Sequence, residues 1–268
     1  MVERFFQSGD ARLRYLDGGA GETVVLLHGF AHDADRWVKS GAFERIAARR
    51  RVLALDCRGH GRSDKPHDPA TYGDMDADVI RMMDDADVSC AHCVGYSMGG
   101  ALVGRLLIRH PDRVLTATFV GATGLASTAR SAERAQLADA IERGDARSLV
   151  LAVRSASDPP LDDIQLQAAS MRLLDGNDPL ALAALLRAPI VSISAQDFAS
   201  APGMTPMLGV AGTADPALNA LISLQKAVPR LKIVAVEGAG HAATINRSEV
   251  IDAVEQFVDD ASVRSVRL

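Results

Sequence analysis

The chain has 268 residues, 48% of them hydrophobic and 24% charged, enough to bury a sizeable core as one domain carrying an insertion. A formal net charge of −5 and a pI near 5.8 leave no basic footprint for nucleic acid, and the acidic excess is too mild to call for a cationic partner. No apolar run reaches the length of a membrane span, and the first ten residues carry acid and polar side chains where a signal peptide is apolar, so a soluble cytoplasmic protein is expected.

Strands are expected over residues 3–7 and 12–17, with Gly18-Gly19-Ala20-Gly21 as a hairpin-like turn to the next. That next strand, Thr23–Leu27, is an unbroken β-prone apolar run of the kind buried on both faces, and it ends abruptly in His28-Gly29-Phe30. A loop at such a place can offer a preorganised backbone N–H to an oxyanion, and Phe30 is the candidate donor. His32 follows closely enough to border a pocket there. Trp37 reads as the first core anchor of a helix over 37–50, together with Val38, Phe43 and Ile46. Arg51–Leu55 returns to the sheet and runs into Asp56-Cys57-Arg58-Gly59-His60-Gly61-Arg62-Ser63-Asp64. The two glycines and flanking polar side chains of that loop make a self-bonded turn with an architectural role, and it lacks the spacing and the lysine of a phosphate-binding loop.

Residues 74–87 pattern as an amphipathic helix, with Met75, Val79, Met82 and Met83 on one side and a run of aspartates read as a solvated face on the other. The three cysteines are an odd number and imply no disulfide framework. Cys90-Ala91-His92-Cys93 has the spacing of half a metal site, but no second ligand pair lies nearby and the segment feeds a central strand, so small buried side chains are expected. His60, His67, His92 and His110 have no metal-ligand spacing to one another or to carboxylates. Neither a metal nor a cofactor is expected.

Val94-Gly95-Tyr96-Ser97-Met98-Gly99-Gly100 places one serine between two glycines, after an apolar run and before a helix-like stretch. A sharp strand-to-helix turn needs Gly95 and Gly99 because a Cβ there collides with neighbouring elements, and the strained apex holds Ser97 Oγ where a base can reach it. The residue after the nucleophile, Met98, is the second candidate oxyanion donor. A helix over 101–109 then points its N-terminus at the site, and a strand follows over 113–120. From 124 to 203 the strand pattern stops, and the segment reads as a helical cap inserted between core segments 1–123 and 204–268. Phe198 is the one aromatic of that cap. Leucines such as Leu149, Leu173 and Leu182 offer apolar lining for an aliphatic group, and Arg154, Arg172 and Arg187 are cations that could meet a substrate carboxylate. A strand over 206–210 leads to Asp215, Leu231–Val236 leads through Glu237-Gly238-Ala239-Gly240 to His241, and a packing helix begins near Asn246 with Glu249 as a capping partner. The order Ser97, Asp215, His241 is one of the three chain orders known for a serine triad, in which the imidazole takes the hydroxyl proton and the carboxylate fixes its tautomer.

With these residues in place the chain resembles the α/β-hydrolase superfamily over essentially its whole length. The resemblance rests on Leu27-His28-Gly29-Phe30, the loop from Asp56 to Ser63, Gly95-Tyr96-Ser97-Met98-Gly99-Gly100, Gly212-Thr213-Ala214-Asp215 and Gly238-Ala239-Gly240-His241. It implies an α/β fold with a mostly parallel eight-stranded sheet, flanking helices and a helical cap. It also implies Ser97 as nucleophile, His241 as general base and acid, Asp215 as its orienting acid, and the amides of Phe30 and Met98 as the oxyanion hole. Relatives with a nucleophilic aspartate carry that residue at the elbow, so Ser97 argues against the haloalkane dehalogenases and epoxide hydrolases. Carbon–carbon bond hydrolases of the family usually have Asn before the serine and an aromatic after the histidine, where this chain has Tyr96 and Ala242. The elbow and short lid look more like small-molecule esterases, enol-lactonases and cofactor-free haloperoxidases. The expected function is a serine hydrolase acting on a small carboxylic ester, lactone or related acyl substrate. A carbon–carbon bond hydrolase and a ligand receptor of the same fold are the alternatives.

Overall fold

The computed structural model describes residues 1–126, 130–155, 158–201 and 205–265. Its centre is one eight-stranded sheet in the order β1-β2-β4-β3-β5-β6-β7-β8. The strands are β1 (Val2–Ser8), β2 (Ala11–Gly18), β3 (Thr23–Leu27), β4 (Arg51–Leu55), β5 (Ala91–Tyr96), β6 (Val114–Val120), β7 (Met207–Gly212) and β8 (Leu231–Val236). β1 and β2 pair antiparallel, β2 runs antiparallel to β4, and all pairings from β4 through β3 to β8 are parallel. β3 and β5 are buried along their whole length, as the uninterrupted apolar run in Thr23–Leu27 requires.

Alternate residues of the strands feed two cores. Val25, Leu27, Leu53, Leu55, Cys93 and Phe119 face one, and Val24, Leu26, Val52, Ala54, Val94 and Tyr96 face the other. Helices cover both. On one side lie α1 (Asp35–Lys39) and α2 (Ala42–Ala47); on the other lie α3 (Met75–Asp85) and α4 (Met98–Arg109). After β6 come α5 (Ser131–Glu142), α6 (Arg147–Ala152), α7 (Asp163–Leu174), α8 (Pro179–Arg187) and α9 (Ala195–Ser200). The C-terminal part adds α10 (Pro216–Ala227), α11 (His241–Thr244) and α12 (Ser248–Ser265). A separate apolar cluster joins Ala138 and Ile141 of α5 to Leu182 and Leu186 of α8, and it includes Ala31 from the loop after β3. An antiparallel bridge between Ala126 and Ile193 ties the segment before α5 to the segment between α8 and α9.

Several sequence expectations need correction. Gly18-Gly19-Ala20-Gly21 is no hairpin: β4 lies between β2 and β3, and the hairpin turn is Gly9-Asp10, where Ser8 opposes Ala11. The helix expected over 37–50 is two short ones, broken at Gly41, whose φ of 77° leaves the right-handed helical region. Trp37 is still a buried anchor. The aspartates of α3 do not form a solvated face. Asp84, Asp85 and Asp87 are exposed, but Asp76 and Asp78 are buried and matched by arginines from elsewhere in the chain: Arg105 and Arg109 for Asp76, Arg58 for Asp78. A buried carboxylate survives only with such partners. Phe198 faces the core, stacking on Phe119 with ring centroids 5.8 Å apart. The last helix begins at Ser248, near Asn246 as expected, but Glu249 pairs with Arg247 and does not cap Asn246. Its Val250, Val254, Phe257 and Val258 are buried as expected.

Candidate active site

The carboxyl ends of β3, β5, β7 and β8 meet on one side of the sheet, which is where open parallel sheets bind ligands. Between β5 and α4 the chain turns at Ser97, whose φ of 52° and ψ of −111° are unusual for a residue with a side chain. The turn works because its neighbours lack side chains. A Cβ on Gly95 would lie 2.2 Å from Gly99 O, and one on Gly99 would lie 2.2 Å from Leu27 O.

The structure brings the three expected side chains into one hydrogen-bonded chain. His241 Nε2 is 3.0 Å from Ser97 Oγ, and His241 Nδ1 is 3.0 Å from Asp215 Oδ2. An ionised carboxylate only accepts, so the imidazole proton sits on Nδ1 and Nε2 is bare to receive the serine proton. Asp215 is itself held: Oδ1 accepts from Ala217 N at 2.9 Å as the N-cap of α10, leaving Oδ2 for the histidine.

Tyr96 is a supporting residue that sequence reasoning missed. Its ring stacks on His241 at 5.4 Å with 28° between planes, and its Oη donates to the His241 carbonyl at 3.1 Å. Burial pushes the Tyr96 phenol up to about 12, so it stays a donor.

The loop after β3 is fixed from below. Gly29 O accepts from His28 Nδ1 at 2.8 Å and from His32 N at 3.2 Å. With that carbonyl engaged, the trans peptide directs the Phe30 N–H the opposite way. His28 Nε2 accepts from Cys57 N at 2.9 Å, and burial pulls the ring down to about 3, so it stays neutral. The second anchor is Asp56, whose Oδ1 accepts from Ala34 N at 2.7 Å while Oδ2 takes Arg62 N and Arg14. The loop from Asp56 to Ser63 thus braces the β3 loop and its own turn, the architectural role expected of it. Met98 opens α4, so its N–H has no intrahelical acceptor.

A cavity of about 140 Å³ adjoins these groups, bordered by Phe30, His32, Ser97 and His241 and walled by Leu149, Val153 and Leu173 from the helical excursion. Arg187 is committed to Asp139 and Glu142, and Arg154 to the Pro159 carbonyl; neither they nor Arg172 line it. A larger groove of about 540 Å³ between β8 and α12 contains none of the three hydrogen-bonded side chains. Among the described residues no group of three or more His, Cys, Asp or Glu side chains is arranged to hold a metal ion. Cys93 is buried, its thiol pushed up to about 12, and His92 Nδ1 lies 2.9 Å from Thr116 Oγ1.

A family model described as alpha/beta hydrolase fold matches residues 22–248. The chain belongs to the α/β-hydrolase fold family. Among curated relatives, the dihydrolipoyllysine-residue acetyltransferase component of the acetoin cleaving system of Cupriavidus necator is 37% identical over 121 residues, 45% of this chain and 32% of that protein. The protein of the same name from Pseudomonas putida is 28% identical over 248 residues, 91% of this chain and 65% of that protein. The chain therefore spans about a third and just under two thirds of these relatives. The same α/β-hydrolase architecture is found in the enol-lactonase of Burkholderia xenovorans LB400, with a TM-score of 0.77 and 23% identity over 96% of this chain and 100% of that one.

Proposed function

We propose that this α/β-hydrolase is a serine hydrolase that cleaves a small carboxylic ester or lactone through an acyl-serine intermediate. The observation that carries this reading is the chain from Ser97 Oγ to His241 Nε2 and from His241 Nδ1 to Asp215 Oδ2, both links 3.0 Å, at the apex of a strained elbow. Ser97 Oγ attacks the acyl carbonyl as its proton passes to His241 Nε2, and Asp215 stabilises the imidazolium that forms. The N–H groups of Phe30 and Met98 take the oxyanion; losing one such donor costs ~2.7 to 4 kcal/mol in comparable sites. Collapse expels the alcohol, which receives the proton from His241, and a water activated by the same imidazole then hydrolyses the acyl-serine. This sequence uses no metal and no cofactor. Residues 124–203 serve as the cap, whose Leu149, Val153 and Leu173 supply an aliphatic wall.

The cavity's modest size favours small substrates, since drug-sized ligands occupy pockets of ~300 Å³ or more. The partner is accordingly a small molecule. Among the described residues no helix is long and apolar enough to cross a membrane.

The test is labelling by a fluorophosphonate probe, followed by turnover of p-nitrophenyl esters of graded chain length and a set of lactones. Labelling is expected in the parent and absent in Ser97→Ala, with turnover lower by about three orders of magnitude or more. Equal labelling of parent and variant removes Ser97 from the role of nucleophile.

A further inference from the structure

One imidazole at the cavity has no place in the mechanism above. His32 borders the same space as Ser97 and His241, and its ring lies 6.1 Å from that of Tyr96, the residue stacked on His241. Its backbone is held by the bond from its N–H to Gly29 O. The preceding residue is fixed too: Ala31 has a φ of 57°, and its carbonyl accepts from Asn177 Nδ2 at 3.1 Å.

The side chain, by contrast, has no polar partner among the described residues. Nδ1 is shut off from solvent and bonded to nothing, and no protein atom bonds Nε2. A buried bare nitrogen is tolerated more readily than a buried N–H with no acceptor, so the proton belongs on Nε2. Burial, with the positive charge of Arg36 and Lys39 adding to it, pulls the ring down to about 4, and it is neutral at neutral pH. Leu149, Val153, Leu173 and Ala242, which line the same cavity, have no polar side-chain atom, and Tyr96 Oη is already engaged on the His241 carbonyl. His32 Nε2–H, which is not sealed off as Nδ1 is, is therefore a donor with no acceptor among the described residues, two residues from the proposed oxyanion donor Phe30.

We propose that His32 is a specificity-determining residue that donates from Nε2 to a second oxygen of the substrate, outside the oxyanion hole. The site then selects short acyl groups bearing an oxo or ether oxygen near the scissile carbonyl over plain alkyl acyl groups of equal length. The short reach follows from chain geometry, since two residues span at most about 7 Å of backbone. Size agrees, because a cavity of about 140 Å³ is well below the ~300 Å³ of pockets that take drug-sized ligands. This inference rests on the esterase reading of the preceding subsection.

The test compares p-nitrophenyl methoxyacetate with p-nitrophenyl butanoate, whose acyl groups have the same number of heavy atoms and differ by one ether oxygen. Each kcat/KM is divided by the rate of spontaneous hydrolysis in buffer, which removes the difference in intrinsic reactivity. The parent is expected to favour the methoxyacetate by about tenfold, the ratio to fall to near one in His32→Leu, and part of it to return in His32→Gln, which keeps an N–H. Fluorophosphonate labelling of both variants reports that the nucleophile is still assembled. A parental ratio near one, or a loss shared equally by both esters in His32→Leu, overturns the proposal while the esterase reading stands. A parent that neither labels nor turns over either ester overturns both.

Discussion

Tyr96 acts on His241 in two separable ways, a ring stack at 5.4 Å and a hydrogen bond to the backbone carbonyl at 3.1 Å. Tyr96→Phe keeps the first and removes the second. A neutral hydrogen bond is worth about 1 kcal/mol net, so kcat should fall about fivefold with KM little changed, whereas Tyr96→Leu, which loses the stack as well, should fall further. If Tyr96→Phe matches the parent in kcat under the same assay, the hydroxyl has no part in holding the imidazole. Why the sequence hides this residue is instructive. Ser97, Asp215 and His241 each sit at the end of an apolar run beside small residues, a local pattern, while the contact of Tyr96 with His241 joins positions 145 residues apart. Asp76 and Asp78 were hidden the same way. A helical wheel shows acids opposite methionines, but it cannot show that Arg58, Arg105 and Arg109 are waiting there.

At the scale of elements, the parallel strands and the elbow were the legible part. Strand-like runs such as Thr23–Leu27 and Arg51–Leu55 match β3 and β4 to the residue, because a strand buried on both faces is apolar along nearly its whole length. The order of strands was not legible, which is why the glycines before β3 passed for a hairpin. The direction in which side chains of the helical excursion face was also out of reach: Leu149 and Leu173 line the cavity, but Leu182 packs in the cluster with Ala138 and Ile141. The elbow's own geometry gives a sharp expectation. In Gly99→Ala the new Cβ would have to sit 2.2 Å from Leu27 O, a backbone atom of a central strand that cannot retreat. Stability should drop by about 3 kcal/mol, the upper range for overpacking, read as a lower urea midpoint with the proposed hydrolase activity lost in the remaining folded protein. A parental midpoint in Gly99→Ala would mean that α4 does not approach β3 so closely.

The whole molecule carries an acid sensitivity that follows from its buried histidines. His28 and His60 are fully enclosed and pulled down by burial to about 3, and His32 to about 4. In the unfolded chain each titrates near the ordinary value of about 6.5. Between those limits the unfolded state binds more protons, so falling pH favours unfolding. The stability these rings contribute is complete above about pH 6.5 and drains away as pH approaches 4, at a limiting slope of about 1.4 kcal/mol per pH unit for each ring. Asp33, raised by burial and by its neighbours Asp56 and Asp35, works in the opposite direction. Urea midpoints should thus be flat from pH 8 to 7 and fall progressively from pH 6 to 4.5. Replacing one ring separates this cause from carboxylate protonation. His60 packs against His28 and Phe30 at centroid distances of 5.0 and 5.9 Å, so His60→Phe fills the same space without a titrating group. Its profile should be flatter than the parent's by about 1.4 kcal/mol per pH unit across that window, whatever its stability at pH 7. Parallel profiles would show that the ring beneath Phe30 accepts a proton in the folded state as readily as in the unfolded one.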